Sequence, residues 1–408
     1  MIQEIPLLIS GFEKPFILNI DDQISTFNEC LASFPRKTEL LSTEFLHTIE
    51  TCPPEGLKPF YASLQSADGK HIGFFLFQIK YFKANQSIKS LDQEDIFCRI
   101  HKKLKSLVAN LVEFNTLVCG NLLLTGPYGY VIKDEYRNQL SLIYQYVIEE
   151  VQGWLRAKGT DTNVILVKDF FDYQKPLEES TFHSFSIQPN MIMELKPEWQ
   201  NFNDYLEALH SKYRIRVRRA IKAADKVIKK ELSLEEITLL NDDIYKLYKQ
   251  TATHAEFNLL DFHPNYFSEL KKNLKDSVEY HSYWMNGKIV AFFTLIRDGM
   301  ELEAHFLGID ETLNKKNQLY LNILFDIIRI GIDNQMSVIR FSRTAIEIKS
   351  SVGAIPNLMT CYIKHRKVIN NTFVPYLLDF LNQKNDYVIR HPFKTSEDIL
   401  LPVANLQD

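Results

Sequence analysis

The stretch Asp68-Gly-Lys-His-Ile-Gly-Phe-Phe-Leu-Phe-Gln-Ile79 has a counterpart far downstream, Asn286-Gly-Lys-Ile-Val-Ala-Phe-Phe-Thr-Leu-Ile296. Each opens on an Asx-Gly pair, which favours a two-residue hairpin turn. Each continues as an aromatic and β-branched run that reads as a buried strand. Partner strands precede them, Pro59 to Gln65 and Glu279 to Met285. Downstream the parallel continues. Asn121 to Tyr130 is an apolar strand running into glycines, and Glu301 to Asp310 is a strand running into a Gly308 loop. Helices are predicted over Gln139 to Lys158 and Leu319 to Asn334. In the second, Leu321, Leu324, Phe325, Ile328 and Ile332 fall at three-to-four spacing and make one apolar face. Short strands follow at Asn163 to Phe170 and Ser337 to Ser342. Strand, Gly-containing loop, helix, strand is a βαβ crossover, so the last two strands of each set are expected to be parallel. The shared order points to a duplicated unit and an α/β fold.

The 408 residues suit two or three domains. With 28 Phe and 19 Tyr, each has the bulk for a core. A net charge of -4 gives no global argument for nucleic acid, DNA included, or for an anionic membrane. The five cysteines, Cys30, Cys52, Cys98, Cys119 and Cys361, are odd in number and form no CxxC pair. No disulfide framework or zinc site is expected, and a reducing compartment fits. Met1 to Gly11 has no leader pattern, and no apolar stretch reaches spanning length. A cytoplasmic location is expected, with a peripheral membrane contact left open. Between the halves, Asp204 to Lys230 and Leu234 to His254 read as helices, and Thr372 to Gln383 as another. The expected division is a first domain at 1–198, a second at 199–390 that opens with a basic helix at 205–230, and a tail at 391–408. Without a low-complexity linker, the domains should pack closely.

Three further stretches carry a family likeness: Phe202-Asn-Asp-Tyr-Leu-Glu-Ala-Leu-His-Ser-Lys-Tyr-Arg-Ile-Arg-Val-Arg-Arg219, Phe306-Leu-Gly-Ile-Asp310 and Arg343-Thr-Ala-Ile-Glu-Ile-Lys-Ser-Ser-Val-Gly-Ala354. With the repeat order, they resemble the GNAT superfamily of N-acyltransferases, in particular its tandem, FemAB-like branch. The resemblance implies two tandem GNAT-like domains with mixed central sheets flanked by helices. It also implies transfer of an acyl or aminoacyl group to an amine acceptor. The donor would be acyl-CoA as co-substrate, a thioester on an acyl carrier protein, or an aminoacyl-tRNA; no permanently bound cofactor is implied. One departure stands out. The position matching the pyrophosphate loop, Asn314-Lys-Lys-Asn-Gln-Leu-Tyr320, has no glycine, so Lys315 and Lys316 are left as candidates for cofactor contact.

Acyl transfer to an amine requires proton removal, oxyanion stabilisation and alignment. Strand alternation puts Glu301, Glu303 and His305 on one face, either a solvated face or a pocket wall. Glu303 and His305 are the candidate bases there, with His305 favoured for its near-neutral pKa. Arg343, Glu347 and Lys349 leave the carboxyl end of the last repeat strand, where α/β sheets gather ligands. Glu347 and Lys349 either pair with each other or bind substrate, with Lys349 also a catalytic candidate. Tyr320 completes the substrate-binding set with Arg214 and Arg218. These two arginines begin a stripe, Arg214, Arg218, Lys222, Lys226 and Lys230, whose like charges repel unless they meet an anion. Otherwise the stripe is a solvated face neutralised by acids such as Glu235, Glu236, Asp242 and Asp243. A catalytically silent module that holds an anionic partner through it is the alternative to an enzyme. Cys361 and His365 do not make a nucleophile pair, no metal set emerges, and Gly126-Pro-Tyr-Gly129 reads as a turn, either structural or lining a first-domain cleft.

Overall fold

The computed structural model of the chain describes residues 2–35, 38–83, 113–171, 177, 180–186, 188–254, 260–381 and 387–394. Cys98, the end of the helix expected to reach Gln383 and the tail beyond residue 394 lie outside these.

The two repeated stretches are the middles of two sheets. In chain order the strands are β1 (Gln3–Leu7), β2 (Phe16–Asp21), β3 (Leu57–Gln65), β4 (His71–Lys83), β5 (Glu113–Cys119), β6 (Tyr130–Ile132), β7 (Val164–Phe171), β8 (His183–Ser186) and β9 (Asn190–Glu194). After them come β10 (Ile228–Glu231), β11 (Val278–Met285), β12 (Lys288–Asp298), β13 (Glu301–Ile309), β14 (Val338–Arg340), β15 (Ile355–Asn357) and β16 (Met359–His365). The first sheet runs β1-β2-β3-β4-β5-β7-β16-β8 with β6 on β4, and the second runs β10-β11-β12-β13-β14-β9-β15. Among the described residues each is antiparallel except for one parallel pair, β5 with β7 and β13 with β14. Those are the pairs the crossover reading requires.

The helices are α1 (Asn28–Ala32), α2 (Thr43–Thr51), α3 (Leu140–Ala157), α4 (Phe202–Ala208), α5 (Ser211–Ala223), α6 (Leu234–Leu239), α7 (Asn241–His254) and α8 (Tyr266–Leu274), then α9 (Glu311–Asn317), α10 (Leu319–Asp333), α11 (Ile346–Ser351), α12 (Val368–Asn371) and α13 (Val374–Leu381). The crossover helices α3 and α10 bury an apolar face and sit within a residue of their expected bounds. One core lies under the first sheet and α3, another under the second sheet and α10. A third joins the halves, packing α2 and Tyr128 against α7, α8 and β12.

Several expectations are corrected. Only Asn286-Gly287 forms the two-residue hairpin, both residues left-handed, with Met285 opposite Lys288. At Asp68-Gly69 the turn is longer, closed by the Ser66 amide on the Lys70 carbonyl, and Gly69 alone is left-handed. Residues 121–129 are not a strand, because β5 ends at Cys119. Leu123 and Leu124 instead bury themselves in the core between the halves, which apolar periodicity does not distinguish from a sheet. Gly308 lies inside β13, not in a loop. A Cβ there would meet the backbone of Leu247 and Tyr248 at 2.6 Å, so glycine lets α7 close on the strand. The basic helix at 205–230 is two helices and a strand. It breaks at Leu209 and ends at Ala223, and Lys230 belongs to β10. The helix expected over Leu234 to His254 is likewise broken, into α6 and α7.

The sequence reading also lacked an exchange of strands. β9, from the first half, pairs with β14 and β15 in the second sheet. β16, from the second half, inserts between β7 and β8 in the first. Each sheet is completed by a strand from the other half.

Candidate active site at the seam of the two sheets

The parallel pairing of β13 with β14 is short. It covers Glu301 to Glu303 against Val338 to Arg340 and then stops, while β13 continues to Ile309. Past that point the strand edge turns toward α7, where Thr251 Oγ1 accepts the Ile309 amide at 2.9 Å. A bulge between Phe293 and Leu295 of β12 marks the same stretch of β13. Where the strands part, Glu303 is 1% exposed. Its Oε1 accepts from Ser342 Oγ at 3.0 Å, and Oε2 has no partner among the described residues. Burial pushes its carboxyl up to about 8, against the opposing pull of Arg340 and Ser342.

The loop from β14 to α11 supplies the opposite wall. Ser342, Thr344 and Ala345 all have left-handed backbones, three non-glycine residues in a conformation that needs outside support. Lys349 gives that support. Buried on α11, its Nζ donates to the Arg343 carbonyl at 2.6 Å and to the Ser342 carbonyl at 3.3 Å. Burial draws the Lys349 pKa down to about 7, with the Glu303 charge opposing the shift. Arg343 turns toward the first sheet and forks onto Asp169 at 2.5 and 3.1 Å, with its Nε on the Gln188 carbonyl at 2.7 Å. Asp169, fully buried on β7, also holds Lys168 and the Gly126 amide. Burial alone would raise its pKa, but Lys168 and Arg343 outweigh that and hold it well below the usual carboxylate range.

The first half covers the site with residues 120–129. The Leu124 carbonyl accepts from Lys168 Nζ at 2.7 Å, and the Thr125 carbonyl from Asn190 Nδ2 at 3.4 Å. Tyr128 stands in the field of Glu303 and Arg340, and burial keeps its hydroxyl protonated. Asn190 is completely buried, with its Oδ1 unpartnered among the described residues. Beside it, the Met191 amide donates to the Ser342 carbonyl at 3.1 Å. Two buried acceptor oxygens, on Asn190 and Glu303, therefore flank Ser342 without donors among the described residues.

The candidates from the sequence divide. Glu303, Arg343 and Lys349 come together at the seam. His305 is buried, not on a solvated face: Tyr266 meets its Nε2 at 2.7 Å, and Phe45 and Phe306 pack on the ring. Burial drives its pKa down to about 3, so it is neutral. Glu347 does not pair with Lys349; it faces outward to Arg390 at 3.2 Å. Tyr320 opens α10, and its amide is taken by Asn314 Oδ1 at 3.1 Å. Lys315 and Lys316 are exposed on α9, and Arg214 and Arg218 lie on α5. Asp169, Lys168, Asn190 and Ser342 were missed, whereas Tyr128 lies in the turn read as a structural or cleft-lining element. The Lys168-Asp169 pair inside an apolar strand was the available signal. Nothing in the sequence marks three left-handed residues after β14. Among the described residues no group of His, Cys, Asp and Glu is placed to hold a metal.

Two sheets opened beside a parallel pair, each with a crossover helix, define the class of fold, and a search of solved structures finds it. FemX superposes with a TM-score of 0.51 at 12% identity, over 87% of this chain and 98% of FemX. A tandem GNAT protein from the clavulanic acid biosynthesis pathway gives 0.48 at 7%, over 90% of this chain and 98% of its own. The C-terminal domain of a putative lysylphosphatidylglycerol synthetase from Agrobacterium fabrum gives 0.46 at 10%, over 88% and 97%. No protein-family model and no curated protein matches the sequence. The FemX likeness covers most of this chain and nearly all of FemX, so the chain shares that fold, two tandem GNAT-like units. At that identity the likeness establishes the fold alone.

Proposed function

We propose that the chain transfers an acyl or aminoacyl group from a thioester or tRNA donor to an amine, with Glu303 as the base. The observation that carries the reading is the free Oε2 of a buried carboxyl with a pKa near 8, set where β13 and β14 part. Such a group is poised to take a proton near neutral pH. With Asn190 Oδ1 it offers two acceptors to the N–H groups of an incoming amine. The amine nitrogen bonds to the donor carbonyl carbon as its proton passes to Glu303. Positive charge on Arg340 favours the oxyanion that grows. Collapse breaks the bond to the leaving thiol or hydroxyl, which takes the proton back from Glu303.

The alternative, a catalytically silent binding module, is favoured by one observation. The Tyr320 amide at the start of α10 is already capped by Asn314, so that amide is closed to a pyrophosphate. Thermal-shift measurements against acetyl-CoA, long-chain acyl-CoA, acyl carrier protein and aminoacyl-tRNA separate the two. A donor at 100 times its Kd stabilises by about 2.7 kcal/mol. Turnover with that donor should then disappear in Glu303→Gln. If no donor moves the melting curve, the transferase reading fails.

A further inference from the structure

The segment from α5 through β10 carries a surface unlike the rest of this acidic chain. Lys212, Arg216, Arg218, Arg219, Lys222 and Lys226 are exposed, and none makes an ion pair among the described residues. Asp225 is the one acid between Ser211 and Ile228. The inner face of α5 is fixed, with Val217 and Ala220 in the core of the second half and the Ala220 carbonyl accepting from Asn322 on α10. The helix therefore holds its cations outward in one orientation. Ile215 sits among them at 54% exposed, Ile221 at 37% and Ile228 at 69%. β10 is an edge strand, and α5 packs on α9, which adds exposed Lys315 and Lys316.

Unpaired cations alone suit any polyanion. Isoleucines standing out among them do not suit all polyanions equally. Single-stranded nucleic acid is gripped by aromatic platforms, and the one aromatic on α5, Tyr213, is half-buried and lies under Lys212. A bilayer surface rewards both features, since anionic headgroups meet the cations and the boundary of the acyl chains accepts aliphatic side chains. We infer that the α5–β10 face docks the protein on an anionic phospholipid surface. Because the apolar face of α5 is already used by the core, contact is shallow and reversible, made by three isoleucines and a ring of cations.

The test is co-sedimentation of the full chain with phosphatidylcholine vesicles, with and without about 30 mol% phosphatidylglycerol, in low and high salt. Binding is expected only with the anionic lipid and should weaken as salt rises. Neutralising two cations in Arg218→Ala/Lys222→Ala should lower partitioning roughly 20- to 30-fold, at about fivefold per charge. Ile215→Ser should lower it several-fold with every charge kept, which pure electrostatics would not produce. Unchanged melting curves would show that these exposed variants remain folded. Absence of binding to the anionic vesicles, or binding that neither variant weakens, overturns the inference. So does salt-sensitive binding of bulk tRNA without vesicle binding, which would assign the face to RNA.

Discussion

Glu303 and Lys349 titrate in opposite senses, and stability records both. The Glu303 carboxyl has its pKa raised by burial, to about 8, above that of an unfolded glutamate. Its contribution to stability is full below the unfolded pKa near 4.5 and is lost as pH rises through 8. Lys349 is depressed to about 7 from 10.5, so its contribution is present at high pH and lost as pH falls through 7. Glu303→Gln does not titrate, so its stability relative to the parent should rise between pH 5 and pH 9, about, as urea melts across that range can check. If Glu303 is the base, kcat/KM of the parent rises with pH toward a plateau above about 8, and the variant stays flat and low. Arg343→Ala should cost about 3–5 kcal/mol, since it leaves Asp169 buried beside a single lysine. Gly308→Ala should cost about 1–3 kcal/mol or more, read as a lowered Tm, because α7 has to back away from β13. At this scale Glu303, Arg343 and Lys349 were legible as polar residues near strand ends. His305 also looked polar and well placed, but the aromatic wall that neutralises it comes from α2 and α8, far away in the chain.

At the scale of elements, the two halves differ where they should be most alike. β13 runs past its bulge and stays on β12, whereas β5 leaves the sheet at Cys119 and the chain rejoins β4 only as β6. The excursion between them reaches Lys168, Asp169 and Asn190. Its base is pinched by two glycines, for a Cβ on Gly129 would stand 2.6 Å from Gly120 Cα. Gly129→Ala should therefore displace the loop and lower turnover at least as much as it lowers Tm. Normal turnover in a destabilised Gly129→Ala protein would remove the loop from the site. The repeated strands and crossover helices were readable because their periodicity answers to one nearby layer. The excursion was not, because its leucines are buried by both halves at once. The basic stripe stops short as a helical stripe for a related reason. Its last member, Lys230, sits in β10 and pairs with Glu236, and helical spacing does not foresee the strand.

For the whole molecule, the exchange of β9 and β16 means that no cut in the chain yields two complete sheets. Residues 1–198 carry β9 but lack β16; residues 199–408 have the reverse lack. Each fragment expressed alone should be insoluble or fail to show a cooperative melt, while co-expressed fragments should recover one complex. A fragment that melts cooperatively alone would show that the exchanged strands are dispensable. Repetition of a unit was legible in the sequence, but which copy each last strand joins was not, since edge strands of similar pattern are interchangeable until tertiary partners choose between them.

The same exchange sets a schedule for synthesis. When Phe171 leaves the ribosome, the edge of β7 is ready for a neighbour, but that neighbour, β16, is encoded roughly 190 residues later. At about 5–20 residues per second the nascent chain carries an open edge for on the order of 10–40 s. Pairing at that separation is slow to form even after release. The newborn protein thus passes through a long interval in which a foreign strand could fill the gap, and its yield in a cell should depend on whatever shields that edge during translation.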